Sequence, residues 1–257
     1  MKVRMAENIL KIILRDFLKA ILPSQQPPIL VASMGRSGST LVYDSIVKGM
    51  VKKRFFLQAP SLGGLVRDVI WKLSGAHFQN GLVYKTHDLP ASLKVGDRPI
   101  VIFLFGSASD AARSVLQCES TQGYEWIKSH LKHLSAIGTL DDLPFKDVLR
   151  FSEQLDEWLS CQAVPILALR YEDLWTSDAE EKLSHFVGFS VRLPERRARE
   201  SIGIDLGKKG IEIQSTYAAL DAYVAQLPPI YTNDKANIRL QIAKVPNSKK
   251  EGLSCSY

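Results

Sequence analysis

Cysteine is scarce: Cys118, Cys161 and Cys255 are the only three in 257 residues, and they stand far apart. None has the spacing of a metal knuckle, so reduced thiols are expected and no resident metal. Long apolar runs are missing as well. The most apolar stretch, PIVIFLF at 99–105, falls well short of the roughly 18 residues of a membrane span, and no integral membrane segment is expected. There is no internal repeat and no low-complexity tract. The chain also lacks the G-x-x-x-x-G-K-[ST] loop whose lysine reaches the outer phosphates of ATP, which counts against a kinase or NTPase.

What is present is ordinary globular composition, 46% hydrophobic and 23% charged, of a length that suits one domain over 1–257. Lys and Arg number 33 against 27 Asp and Glu, a net charge of +6, which favours anionic ligands. The basic clusters at 52–54, 192–199 and 249–250 read as solvated faces. Charge alone would admit nucleic acid, but no aromatics interleave with the basic residues, and no nucleic-acid partner is expected. Over 1–22, Ile9, Leu10, Ile13, Leu14, Phe17, Leu18 and Ile21 recur at helical spacing among charges. This is the pattern of an amphipathic helix rather than a signal peptide; it packs on the domain or touches a membrane surface. Residues 246–257 read as a loose polar tail. A cytoplasmic protein is expected, and its oligomeric state is open.

Along the chain, apolar runs at 29–32, 82–85, 99–105 and 165–169 read as buried strands, and 54–57 as a short one. Helices are expected over 39–50, 63–73, 124–137, 145–161 and 178–187, with another from 109 capped by Ser107 or Ser109. Strands alternating with helices predict an α/β fold, a parallel sheet covered by helices on both faces. In such sheets ligands bind beyond the carboxyl ends of the strands, so the residues there carry the functional reading.

After the first strand comes Gly35, Arg36, Ser37, Gly38, Ser39 and Thr40. Glycines let backbone N–H groups approach an anion at a helix start, hydroxyls add donors, and Arg36 adds a planar permanent charge. An ordinary Gly/Ser turn with an exposed Arg is the plainer reading of the same residues. After the second strand, Lys85 and His87 stand two apart in Lys85-Thr86-His87 and project to one side. They pair a fixed charge with a group that can accept a proton. After the third come Gly106, Ser107, Asp110 and Ser114, and after the fourth Tyr171-Glu172-Asp173. A structural histidine and a plain strand end are the alternatives. Aromatic and histidine side chains in the middle region (Phe55, Phe56, Trp71, His77, Phe78, Tyr124, Trp126, His130 and His133) are candidates for a ligand pocket or for core. His130 and His133 lie three apart on a helix but have no third metal ligand.

In order and spacing, PILVASMGRSGSTL, YKTHDLP, a hydrophobic strand with D-x-x-x-S, and LRYEDL resemble the sulfotransferases that use 3′-phosphoadenosine 5′-phosphosulfate (PAPS). The resemblance covers roughly 29–187. It implies a P-loop-like α/β sandwich, with Arg36, Ser37, Gly38, Ser39 and Thr40 holding the 5′-phosphosulfate. Lys85 would steady the transferring group, His87 would be the general base, Ser114 would contact the 3′-phosphate, and Tyr171 would lie near the adenine. PAPS is then the co-substrate, with no metal, and the acceptor a hydroxyl or nitrogen of a small molecule, natural products included. A small-molecule kinase of the P-loop type and a non-catalytic nucleotide-binding relative are the alternatives. The chain departs from the family at Gly35, where the family has Pro, and at Gly106, where it has the Arg that clasps the 3′-phosphate. Arg113, Lys208 and Lys209 are the candidates to supply that charge.

Overall fold

The computed structural model describes residues 24–56, 59–93, 99–196 and 206–233. The segments 1–22 and 246–257, read above as a helix and a tail, lie outside them. Among the described residues six strands are formed: β1 Ile29–Ser33, β2 Arg67–Val69, β3 Val83–Thr86, β4 Ile100–Phe105, β5 Ile166–Arg170 and β6 Ile230–Thr232. The helices are α1 Ser39–Phe55, α2 Gly63–Val66, α3 Ala108–Gln122, α4 Tyr124–His133, α5 Phe151–Ser160, α6 Ser177–Val187 and α7 Gly207–Gln226.

The strands make one sheet in the order β2-β3-β1-β4-β5-β6. All neighbouring pairs are parallel except β5 with β6, which is antiparallel. The protein is therefore α/β with a mostly parallel sheet. Both faces are buried, which is why the strands are continuously apolar rather than alternating. Leu30, Val101, Phe103, Phe105 and Ile166 pack on α3, α4, α5 and α7 through Val115, Ile127, Trp158 and Tyr217. On the other face Val31, Ile102, Leu104 and Leu167 meet Val42 and Ile46 of α1 and Leu183 of α6. Because β1 lies between β3 and β4, the chain reverses direction across the sheet there, and their carboxyl ends share one edge.

Several elements differ from the sequence pattern. Residues 54–55 are not strand but the end of α1, which runs on through Lys52, Lys53 and Arg54, cations suited to a helix C-terminus. The helix expected over 63–73 stops at Val66, because residues 67–69 pair with β3 from Arg67↔Val83 to Val69↔Lys85. Strand pairing overrides a helical apolar spacing here. Helix α4 ends at His133 rather than 137, with Ser135 at φ +50° beyond it. Helix α5 starts at Phe151 rather than 145, where the Asp147 carboxylate accepts the Phe151 and Ser152 N–H groups. Of the two caps offered for α3, Ser107 is the one used; its Oγ accepts the Asp110 N–H at 3.2 Å.

Helix α7 and strand β6 have no counterpart in the sequence reading. Helix α7 lies on α3, and its Asp221 carboxylate accepts the Ala108 and Ser109 N–H groups at 2.6 and 3.3 Å. Strand β6 is fastened by Asn233, whose amide accepts from the Ile166 N–H and donates to the carbonyls of Cys161 and Val164. Among the described residues no helix is long and apolar enough to cross a membrane.

Trp158 connects the core to the end of β3. It is fully buried, stacks on Phe103 with ring centres 5.8 Å apart, and donates its indole N–H to the Asp88 carbonyl at 3.2 Å. The Asp88 carboxylate in turn accepts the Leu73 N–H at 2.7 Å. Trp158→Ala should cost about 3–5 kcal/mol in urea unfolding, and Trp158→Phe, which keeps the stack and loses the hydrogen bond, about 1 kcal/mol.

Candidate functional site

A cleft of about 1050 Å³ opens at the carboxyl edge of the sheet. Of the residues singled out from sequence, Arg36, Gly38, Ser39, Thr40, Lys85, His87, Ser114 and Tyr171 all line it. They come from the ends of four different strands. Ser37 does not line it; it is buried inside the turn and donates its hydroxyl proton to the Gly35 carbonyl at 3.0 Å, bracing the loop from within.

The loop between β1 and α1 carries positive φ at Gly35 (+87°), Arg36 (+52°) and Gly38 (+76°). Arg36 is in a conformation that a side chain disfavours, and such strain concentrates where a loop is shaped for a ligand. A turn of this kind directs successive N–H groups into one concavity. Helix α1 begins at Gly38 with no side-chain cap and no acid in its first turn, so its amide donors and dipole face the cleft uncountered. Gly38 also lies hard against the Tyr171 ring: a Cβ there would stand 2.6 Å from Tyr171 Cδ2.

Two cations flank the loop. Arg36 donates from Nε to Ser114 Oγ at 2.9 Å, and its guanidinium carbon lies 5.8 Å from the Trp126 ring centre. Lys85 donates from Nζ to Thr40 Oγ1 at 2.6 Å. Burial holds the Lys85 ammonium below its usual pKa; Asp44 opposes that shift and Arg36 adds to it. The shift reflects a buried ammonium close to a second cation.

His87 is buried at the end of β3, with Nδ1 3.2 Å from the Ser33 carbonyl and 3.1 Å from Ser33 Oγ. A carbonyl only accepts, so Nδ1 carries the proton and Nε2 keeps its lone pair. Desolvation pushes the His87 pKa down to about 4, with Lys85 reinforcing the shift and the Ser33 hydrogen bond opposing it. The ring is therefore neutral at pH 7.

Three helices complete the walls by regular spacing. From α1 come Thr40, Asp44 and Lys48; from α3, Ser114, Gln117, Cys118 and Thr121; from α4, Trp126, Ser129, His130 and His133. Each set runs at intervals of three or four, so one face of each helix is turned inward. That periodicity, projected from Thr40 and Ser114, would have found Asp44, Lys48 and Gln117 in the sequence. Trp175 also contributes, edge-on to Tyr171 at 5.4 Å.

Of the aromatic and histidine candidates, Trp71, Trp126, His130 and His133 line the cleft, and Phe55, Phe56, His77, Phe78 and Tyr124 do not. Trp71 stacks on His133, and Trp126 on His130. The two histidines thus face different partners, and among the described residues no group of three or more His, Cys, Asp or Glu is placed to hold a metal ion.

At Gly106 the Glu172 carboxylate packs over the Cα; a Cβ would stand 3.1 Å from both of its oxygens. Glu172 also accepts the Ser107 N–H at 3.3 Å. A side chain at 106 would have to displace it. Arg113 does not turn into the cleft; it donates to the Gly210 carbonyl and Gln214 Oε1 on α7. Lys208 is 90% exposed beside Glu212, and Lys209 stands near Asp141. The cations that do line the cleft, among the described residues, are Arg36, Lys48 and Lys85. The chain matches no protein-family model and no curated protein sequence.

Gly38→Ala should weaken anion binding and lower the melting temperature, and should do so less in a Tyr171→Ala background, where the clash is relieved; equal penalties in both backgrounds would contradict the contact. The buried histidines also set an acid limit. His87 and His130 are held down to about 4 and about 3 from an ordinary 6.5. Because the unfolded chain binds their protons first, stability should fall as pH drops from about 6.5 toward 4, with a slope of up to about two protons in unfolding measured against pH.

Proposed function

We propose that this protein is a sulfotransferase, moving the sulfuryl group of PAPS to a hydroxyl or nitrogen of a small-molecule acceptor on a fold of the P-loop-like sulfotransferase type. The observation that carries the proposal is the convergence on one cleft of three sequence motifs: the loop at Arg36–Thr40, the pair Lys85 and His87, and Tyr171 after β5. The cleft is of nucleotide-binding size. The uncapped start of α1 and the cations Arg36 and Lys85 suit an oxyanion there.

The donor brings an already activated sulfuryl group. The residues supply position and charge. Sulfuryl transfer, like phosphoryl transfer, spreads negative charge over equatorial oxygens with the attacking and leaving oxygens in line. Arg36, Lys85 and the loop amides would bind that charge in a partly desolvated setting, where such donors count for most. His87 would accept the acceptor's proton at Nε2 while Ser33 holds the ring from Nδ1. Ser114, fixed to Arg36, would lie by the nucleotide, and the Tyr171–Trp175 pair would offer the adenine an aromatic wall.

Calorimetric binding of 3′-phosphoadenosine 5′-phosphate, with 5′-AMP and ATP in parallel, tests the donor. The 3′,5′-bisphosphate should bind at least about tenfold more tightly than 5′-AMP; preference for ATP would replace the reading with a kinase. His87→Ala should keep bisphosphate binding nearly unchanged while lowering turnover of any acceptor found by screening by about 10²–10⁴-fold. Equal loss of binding and turnover would remove His87 from the role of base.

A further inference from the structure

Among the described residues that line the cleft, His130 has a feature its neighbours lack. Its Nε2 is buried and has no hydrogen-bond partner among the described residues, and the residue is only 9% exposed. Buried ring nitrogens are nearly always bonded, so an unmade bond in a cleft wall points to a ligand atom. The ring is fixed on both sides: it stacks on Trp126 at 4.7 Å, and it meets His87 edge-on at 6.0 Å. Its Cε1 also borders the loop, 3.9 Å from where a Cβ on Gly35 would lie. The ring is therefore at the junction of the loop and the proposed base.

We infer that His130 is a second imidazole of the anion site, donating from Nε2 to an oxygen of the group bound beside Arg36 and Lys85. Binding of that group draws a proton from solvent onto the ring, with no bond of the ligand broken. The groups acting on His130 are Arg36 from the loop, Lys85 and His87 from the end of β3, and His133 from its own helix, all of them bases. Burial is the main cause that keeps it neutral in the free protein, and these groups add to it. A bound oxyanion reverses the sign of that local field and makes the cationic ring favourable, giving a charge-assisted hydrogen bond. The inference rests on the donor reading for the identity of the ligand, though not for the class of anion.

The test uses two probes, inorganic pyrophosphate and 3′-phosphoadenosine 5′-phosphate, in calorimetry near pH 6.5 in buffers of different ionisation enthalpy. Imidazole NMR signals of the wild-type protein are followed in parallel. His130→Phe keeps a ring for Trp126 and removes the nitrogen; His130→Gln restores a neutral donor. Both probes should bind the wild type with proton uptake, and the His130 signal should move toward the cationic position. His130→Phe should bind each probe about tenfold more weakly and without that uptake. His130→Gln should recover most of the affinity and none of the uptake. Wild-type affinity and uptake in His130→Phe would overturn the inference and leave the donor reading intact. Pyrophosphate binding that needs His130, without bisphosphate binding, would do the reverse. If neither probe binds the folded wild type, both fall. Should His130→Phe fail to fold, an unmoved His130 signal in the pyrophosphate-bound wild type would overturn the inference by itself.

Discussion

One residue at the end of β1 holds the site in register. The Ser33 hydroxyl accepts the Gly35 N–H at 3.3 Å and lies 3.1 Å from His87 Nδ1, while its carbonyl lies 3.2 Å from the same nitrogen. The first bond fixes how the loop leaves the strand. The other two fix the tautomer and direction of the imidazole. Because β1 and β3 are paired in register up to Ala32↔Thr86, the loop and the histidine inherit their spacing from the sheet. Ser33 itself is fully buried. Loop, imidazole and sheet are therefore joined as one unit.

Helices α1 and α3 both start at this edge of the sheet, and their first turns are completed in opposite ways. Helix α3 is closed: Ser107 accepts one of its first N–H groups, Asp221 two more, and Glu172 the Ser107 N–H. Helix α1 has no side-chain cap and no acid in its first turn. The electrostatics of the cleft follow from that asymmetry, since only one of the two dipoles is left facing it unopposed. Gly106, lying under the Glu172 carboxylate, belongs to the closed side.

The strand ends were legible because chemistry and chain order coincide there. The loop residues, Lys85, His87, Ser114 and Tyr171 each follow a buried run of unmistakable length, and parallel pairing brings such positions to one edge. What stayed hidden depends on partners distant in sequence. The pattern of Leu65, Val66, Val69 and Ile70 fits a helix until β3 offers a strand to pair with. Residues 207–226 carry few buried side chains, Ile213, Tyr217 and Val224 among them, and two glycines, so their helix is set by packing on α3 more than by local preference. His130 could be placed on a helix but not beside His87, because only the fold brings α4 over the end of β3.

The Asp221 cap has a consequence for the order in which the molecule is made. The amides of Ala108 and Ser109 wait for a carboxylate 113 and 112 residues further along the chain. At ribosomal speeds of about 5–20 residues per second, that is a delay of roughly 6–23 seconds. During it the start of α3 has its local cap, Ser107, but not its distant one. The start of α3 is therefore completed only when α7 arrives, one of the last of the described elements in chain order.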